Sequence, residues 1–148
     1  MKVVKSIEIS APPERIWPFM VEPEKILQWY YPLQEFKYTS KQHGGHDTRL
    51  YLEEKVAGRV MKLNCEVTGW AVNQRVAFRM TSGNIMKSYE ERWTVDPTPS
   101  GSRFTFMEQG KLPFGLIGQI MGLFAQRGSA ATVGKMLSRL KGLAEAQA

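Results

Sequence analysis

The stretch from Phe114 to Ala146 concentrates the helical information of this chain, and the placement of its apolar residues constrains the fold more than any other feature. About thirty residues of helix span roughly 45 Å, longer than a small domain needs for a surface helix, so the segment is expected to run across a core. At about 100° per residue, Leu116, Ile117, Ile120, Met121 and Phe124 share one side, whereas Val133, Met136, Leu137, Leu140, Leu143 and Ala144 share nearly the opposite side. One straight helix cannot press both sets on a single surface. Between them, Gly128 to Gly134 is almost entirely small, and each glycine weakens a helix by about 1 kcal/mol relative to alanine. A kink or break is expected near Arg127 to Ser129. Either the small residues let the helix approach a sheet closely, or the missing volume leaves a cavity with Leu116 to Phe124 as its lid.

The preceding chain supplies the sheet. Lys2 to Ser10 alternates with one mostly apolar face, which predicts a strand. Pro12 and Pro13 end it and open a short helix over Ala11 to Phe19, limited by Pro18; a second short helix is expected from Pro23 to Trp29. From Pro32 onward the period is two. Strands are predicted at Leu33 to Thr39, Thr48 to Lys55, Arg59 to Trp70, Arg75 to Thr81, Met86 to Val95 and Arg103 to Gln109. Turn chemistry separates them at Gly44-Gly45, Ala57-Gly58, Asn73-Gln74, Ser82 to Asn84 and Asp96 to Gly101. Short connections imply antiparallel hairpins, and a seven-stranded antiparallel sheet has one face to bury. Only the final helix is long enough to cover that face. The expected class is α+β: a seven-stranded antiparallel sheet wrapped around a long C-terminal helix, with two short helices after the first strand.

With 148 residues and no internal repeat or linker, the chain reads as one domain over 1–148, able to bury roughly two thirds of its unfolded surface. The single cysteine, Cys65, rules out an internal disulfide, and its alternation with Met61, Leu63 and Val67 marks it as a small buried hydrophobe. A cytoplasmic location is expected, since the start lacks a signal-like apolar run. No window reaches the length of a membrane span, so stable membrane insertion is not expected. The net charge of +6 raises phosphate-bearing partners, but the basic residues are scattered among Glu53, Glu54, Glu90 and Glu91. No nucleic-acid signature is present, which leaves a solvated basic surface with a preference for acidic ligands or lipid headgroups.

The order of elements and the run Ile7-Glu8-Ile9-Ser10-Ala11-Pro12-Pro13-Glu14-Arg15-Ile16-Trp17 resemble the START-like helix-grip superfamily, also called SRPBCC, and within it the polyketide cyclase/dehydrase-like group. Val67 to Phe78, Gly101 to Gly110 and Leu137 to Glu145 are similar to further parts of that group. The resemblance implies a helix-grip fold. It leaves activity open, because the group includes ligand carriers, cyclases and other roles.

Candidate chemistry comes from strand phase. Lys87, Tyr89, Glu91, Trp93 and Val95 share a face, so the aromatics carry Glu91 inward with them; Glu108 follows Phe104 and Phe106 in the same way. A buried carboxyl either pairs with a cation, for which Arg79 or Lys62 is the expected partner, or keeps its proton and becomes a candidate general acid or base. His43 and His46 flank Gly44-Gly45 in a loop that fixes neither, so no metal or other cofactor is expected. No nucleophile elbow, phosphate loop or dinucleotide fingerprint occurs.

The leading expectation is binding of a small, largely apolar, lipid- or polyketide-like molecule between sheet and C-terminal helix. Its contacts would be Tyr51, Phe78, Tyr89, Trp93, Phe106, Ile120 and Phe124, and access would be gated by Leu116 to Phe124 and by the His43 to Asp47 loop. The alternatives are a cyclase- or dehydratase-like enzyme with Glu91 or Glu108 moving a proton, and an interaction module like the heat-shock ATPase activators of this superfamily.

Overall fold

The computed structural model describes residues 1–146, with side chains described for 1–115 and 128–146. The elements run β1 (Lys2–Ile9), α1 (Pro13–Ile16), α2 (Pro18–Val21), α3 (Pro23–Trp29), β2 (Leu33–Tyr38), β3 (Arg49–Val56), β4 (Arg59–Ala71), β5 (Arg75–Gly83), β6 (Ser88–Thr98), β7 (Gly101–Lys111) and α4 (Gly115–Ala146). The strands form one antiparallel sheet in the order β1-β7-β6-β5-β4-β3-β2. Hairpins join β2 through β7, and β1 completes the sheet by pairing with β7. The expected class is therefore observed, with α4 as the long C-terminal helix.

Two local expectations change. Pro18 does not merely end a helix over Ala11 to Phe19; it opens a separate turn, so three short helices follow β1. A proline nitrogen has no hydrogen to return to the fourth residue back, so each of Pro13, Pro18 and Pro23 starts a turn instead of continuing one. The turn expected over Asp96 to Gly101 contracts to Pro99-Ser100, because β6 extends to Thr98. Pro97 is tolerated there because the β5 pairing of β6 ends at Thr94, so its missing N–H removes no bond on that side.

Of the kink or break expected near Arg127 to Ser129, the break is absent, since α4 is one continuous helix from Gly115 to Ala146. Its described half buries Val133, Met136, Leu137, Leu140 and Ala144, and together these outweigh the penalty of the helical glycines. A Cβ at Gly134 would lie 3.4 Å from the Lys5 ammonium, an ordinary contact with the end of a flexible side chain. At the far end, Lys141 pairs with Glu145 at 2.6 Å and donates to the Glu8 carbonyl at 3.0 Å, while Ser10 N–H donates to Glu145 at 2.8 Å.

The interior beside α3 is aromatic. Trp29 donates its indole N–H to the Phe19 carbonyl at 2.8 Å and meets Trp93 and Phe104 edge-on at 5.4 and 5.7 Å between ring centroids. Phe78 stands perpendicular to Trp93 at 5.5 Å, and Phe106 stacks on it at 6.3 Å. Edge-to-face pairs at these spacings add to ordinary burial.

Where β7 starts, Gly101 has φ +148, and a Cβ there would collide with the Ile9 carbonyl and lie 2.8 Å from the Ala11 nitrogen. The next residue, Ser102, donates to the Ala11 carbonyl at 2.7 Å from full burial. Gly101→Ala is expected to cost about 2–3 kcal/mol and Ser102→Ala about 1 kcal/mol in urea denaturation, the first because backbone must move and the second because only one hydrogen bond is lost.

Candidate functional site

Strand alternation places Tyr89, Glu91, Trp93 and Val95 of β6 on the inner face, all buried, while Ser88 and Arg92 are exposed. On β7, Phe104, Phe106 and Glu108 point inward likewise. The register sets Glu91 directly across from Glu108, and Tyr89 across from Gly110. Glycine at 110 gives the phenol ring its place, since a Cβ there would lie 3.2 Å from Tyr89 Cδ2 and 2.6 Å from Met86 Cε.

Two further groups join them. Glu54 shares the inward phase of Leu50 and Leu52 on β3, and Tyr30 enters from the end of α3; both are buried. Tyr89 Oη lies 2.7 Å from Glu108 Oε2 and 3.0 Å from Glu91 Oε2. Tyr30 donates to Glu91 Oε2 at 3.1 Å, and the Trp93 indole donates to Glu91 Oε1 at 3.0 Å. Tyr30 also lies near Glu54, and Ser129 of α4 near Glu108, each favouring the charged form of that carboxyl against the effect of burial.

A phenol carries one proton. Tyr89 can donate to only one of its two carboxyl neighbours, so both contacts are hydrogen bonds only when the other carboxyl carries a proton and donates in return. Electrostatics agree. Burial, followed by the charges of Glu108 and Glu54, pushes Glu91 well above the usual carboxyl range. Burial raises Glu108, and burial followed by Glu108 lifts Glu54 to about 8. Burial and the neighbouring carboxyls push both Tyr30 and Tyr89 up, so the phenols stay neutral donors. The cluster holds protons at neutral pH, the condition a general acid or a hydrogen-bond donor requires.

The expected cationic partners are not there. Arg79 binds Glu66 at 2.6 Å on the opposite face of the sheet, and Lys62 is exposed. Their strand phase points them away, and phenols and an indole take their place. Tyr51 is also corrected as a site residue: Leu50 and Leu52 occupy the inward phase, so Tyr51 faces outward, donates to Glu53 at 2.7 Å and lies under Lys37 at 5.3 Å. Phe78, Tyr89, Glu91, Trp93, Phe106 and Glu108 are brought together as expected. Ile120 and Phe124, and the lid of Leu116 to Phe124, lie outside the residues whose side chains are described.

The His43 to Asp47 loop does not border the acids. It precedes Arg49, five residues before Glu54, a separation of about 16 Å along β3. There His43 stacks on Tyr38 at 5.0 Å, and Gly44 approaches Trp70 so closely that a Cβ would lie 3.2 Å from its ring. His46 and Asp47 line an outer groove of about 510 Å³ with Arg49, Glu66 and Arg79. Among the described residues no three His, Cys, Asp or Glu side chains are disposed to hold a metal ion. Cys65 is buried, and burial together with Glu91 pushes its thiol far up, which leaves it unreactive.

Glu54 and Tyr30 were missed by sequence reasoning. Glu54 was readable from the phase Leu50-Leu52-Glu54, whereas Tyr30 follows a short helix whose tertiary seat no local pattern reveals.

A raised carboxyl pKa means that the folded state holds protons the unfolded chain releases. The associated stability is complete below the ordinary value of 4.5 and is lost as pH rises through the folded value, for Glu54 about 8. Unfolding free energy is therefore expected to fall between about pH 5 and 8, by up to roughly 1.4 kcal/mol per pH unit for each proton. Glu54→Gln, denatured with urea at several pH values, is expected to show a shallower fall than the wild type.

A family model described as "Polyketide cyclase / dehydrase and lipid transport" matches residues 1–145. No curated protein sequence matches the chain. Solved structures show the same fold: TTHA0849 from Thermus thermophilus is 20% identical with a TM-score of 0.83, covering 100% of this chain and 99% of that one. A START superfamily protein from Mycobacterium smegmatis is 18% identical with a TM-score of 0.80, covering 99% of each chain. Zhui aromatase/cyclase from Streptomyces sp. R1128 is 14% identical with a TM-score of 0.74, covering 98% of this chain and 93% of that one. The match over almost the whole length, on the fold and register just described, shows that the chain belongs to the polyketide cyclase / dehydrase and lipid transport family.

Proposed function

We propose that the chain binds a small, largely apolar molecule, lipid- or polyketide-like, on the inner face of its sheet, with the carboxyl–phenol cluster meeting the polar end of that molecule. The observation that carries this reading is the placement of Glu54, Glu91 and Glu108 against Tyr30, Tyr89 and Trp93, among aromatic rings and, among the described residues, with no cation in ion-pair contact with them. Buried carboxyls cost stability, and strongly perturbed groups concentrate at functional sites. Phe78, Trp93 and Phe106 supply apolar walls. The family description, which names both cyclisation and lipid transport, supports the same class of ligand.

The cluster offers protons and no positive charge. A hydroxyl or carbonyl can accept or exchange hydrogen bonds there, whereas a carboxylate gives up its hydration and meets no cation in return.

A second reading follows from Tyr89. Its hydroxyl joins Glu91 to Glu108 and so forms a path along which a proton can pass between two carboxyls and a bound substrate, as a cyclase or dehydratase step requires. In that case Glu91→Gln removes turnover and leaves affinity nearly unchanged.

Native mass spectrometry of the purified protein is expected to find a co-purifying neutral molecule. In titrations followed by tryptophan fluorescence, a long-chain alcohol is expected to bind about tenfold more tightly than the carboxylate of equal length near pH 7.5. Binding of neither overturns the ligand-binding reading.

A further inference from the structure

We propose that one end of the sheet, formed by the β3–β4 hairpin tip, the β5–β6 loop and the β7–α4 link, is a docking surface for an anionic lipid membrane. The three segments belong to the same end of the antiparallel array. Val56 pairs with Arg59 at the hairpin tip, Ser88 pairs with Lys111, and Lys87 N–H donates to the Lys111 carbonyl at 2.8 Å.

This end combines exposed apolar tips with cations. Phe114 is 63% exposed and Val56 37%; single exposed apolar side chains are ordinary, and what distinguishes these is the cations on the same segments. Around them Lys55, Arg59, Lys87 and Lys111 are exposed, and none forms an ion pair among the described residues. The segments 55–59, 84–88 and 109–115 contain no carboxylate. Of the nearest acids, Glu54 and Glu108 are buried in the cluster, Glu53 accepts from Tyr51 on the outer face, and Glu90, also on the outer face, accepts from Gln109.

The chemistry favours a lipid surface over other acidic partners. The apolar side chains sit singly on separate tips, not in one flat patch, so they suit insertion to the depth of the acyl boundary while the cations meet headgroups. A purely electrostatic partner would have no use for Phe114. The β5–β6 loop also holds Ile85 at φ +66, a costly conformation for a β-branched residue, of the kind maintained at functional segments.

The same end adjoins the carboxyl–phenol cluster. Glu54 precedes Lys55, Tyr89 lies two residues after Lys87, and Glu108 three before Lys111. Docking would thus bring a membrane to the edge of the site where the proposed ligand is held. The docking proposal itself stands on exposure and charge and does not need that ligand.

Flotation with vesicles of phosphatidylcholine containing roughly 30% phosphatidylserine tests it. The protein is expected to float with these vesicles and not with pure phosphatidylcholine. The double variant Lys87→Glu, Lys111→Glu should lose at least about 25-fold in affinity, at about fivefold per cation removed. Phe114→Ala should lose roughly tenfold. Lys41→Glu, an exposed cation on the loop at the opposite end, should bind as wild type. Circular dichroism and thermal melts confirm that each variant is folded. Absence of binding overturns the proposal, as does an equal loss in Lys41→Glu, which would mean diffuse attraction to the net charge. Binding to polyglutamate as tight as to vesicles, and indifferent to Phe114→Ala, would assign the surface to an acidic protein and overturn it too.

Discussion

The structure depends on a hydrogen bond that cannot be completed without an extra proton. Tyr89 stands between Glu91 and Glu108 with a single hydrogen to give, at 3.0 and 2.7 Å. Two bare carboxylates facing each other across adjacent strands would repel in a medium that screens poorly. With one of them protonated, the same geometry becomes a closed chain of donors and acceptors. Tyr30 and Trp93 add donors, so Glu91 receives three contacts without any positive charge. The aromatic rings around the cluster exclude water and hold the chain of bonds in one arrangement.

That arrangement is a product of strand register. A slip of one residue between β6 and β7 would turn the inward set of whichever strand moved to the outer face, so that Glu91 and Glu108 would no longer share a face. The register is held at one end by Tyr89 seated over Gly110 and at the other by Ser102 bonded to the Ala11 carbonyl next to Gly101. Local backbone requirements thus fix the positions of ionisable groups several residues away.

Much of this was legible in the sequence because the period-two signal is short-ranged and strong. The alternation of Tyr89, Glu91, Trp93 and Val95 determines their common face without reference to the rest of the fold, and Pro23 and Trp29 bound a helix at the expected residues. Where two phases of one strand both contain large residues, the sequence misleads. Tyr51 was expected inside because it is aromatic, yet Leu50 and Leu52 outcompete it for the interior, and their phase carries Glu54 with them. Partner choice was not legible either. Arg79 and Lys62 were the expected counter-charges for the acids, but pairing across a sheet respects faces, and the donors that reach Glu91 include Tyr30 from a distant helix. The expected break in α4 failed for a related reason: glycine penalties are local, whereas Val133 to Ala144 is held down by tertiary burial.

The charged clasp at the end of α4 ties the helix to the first strand. Lys141 and Glu145 hold it to Glu8 and Ser10, where β1 ends. Both contacts with β1 pass through this one ion pair, so the last turns of the helix and the end of the first strand part only when the pair itself is given up, and local opening there is cooperative.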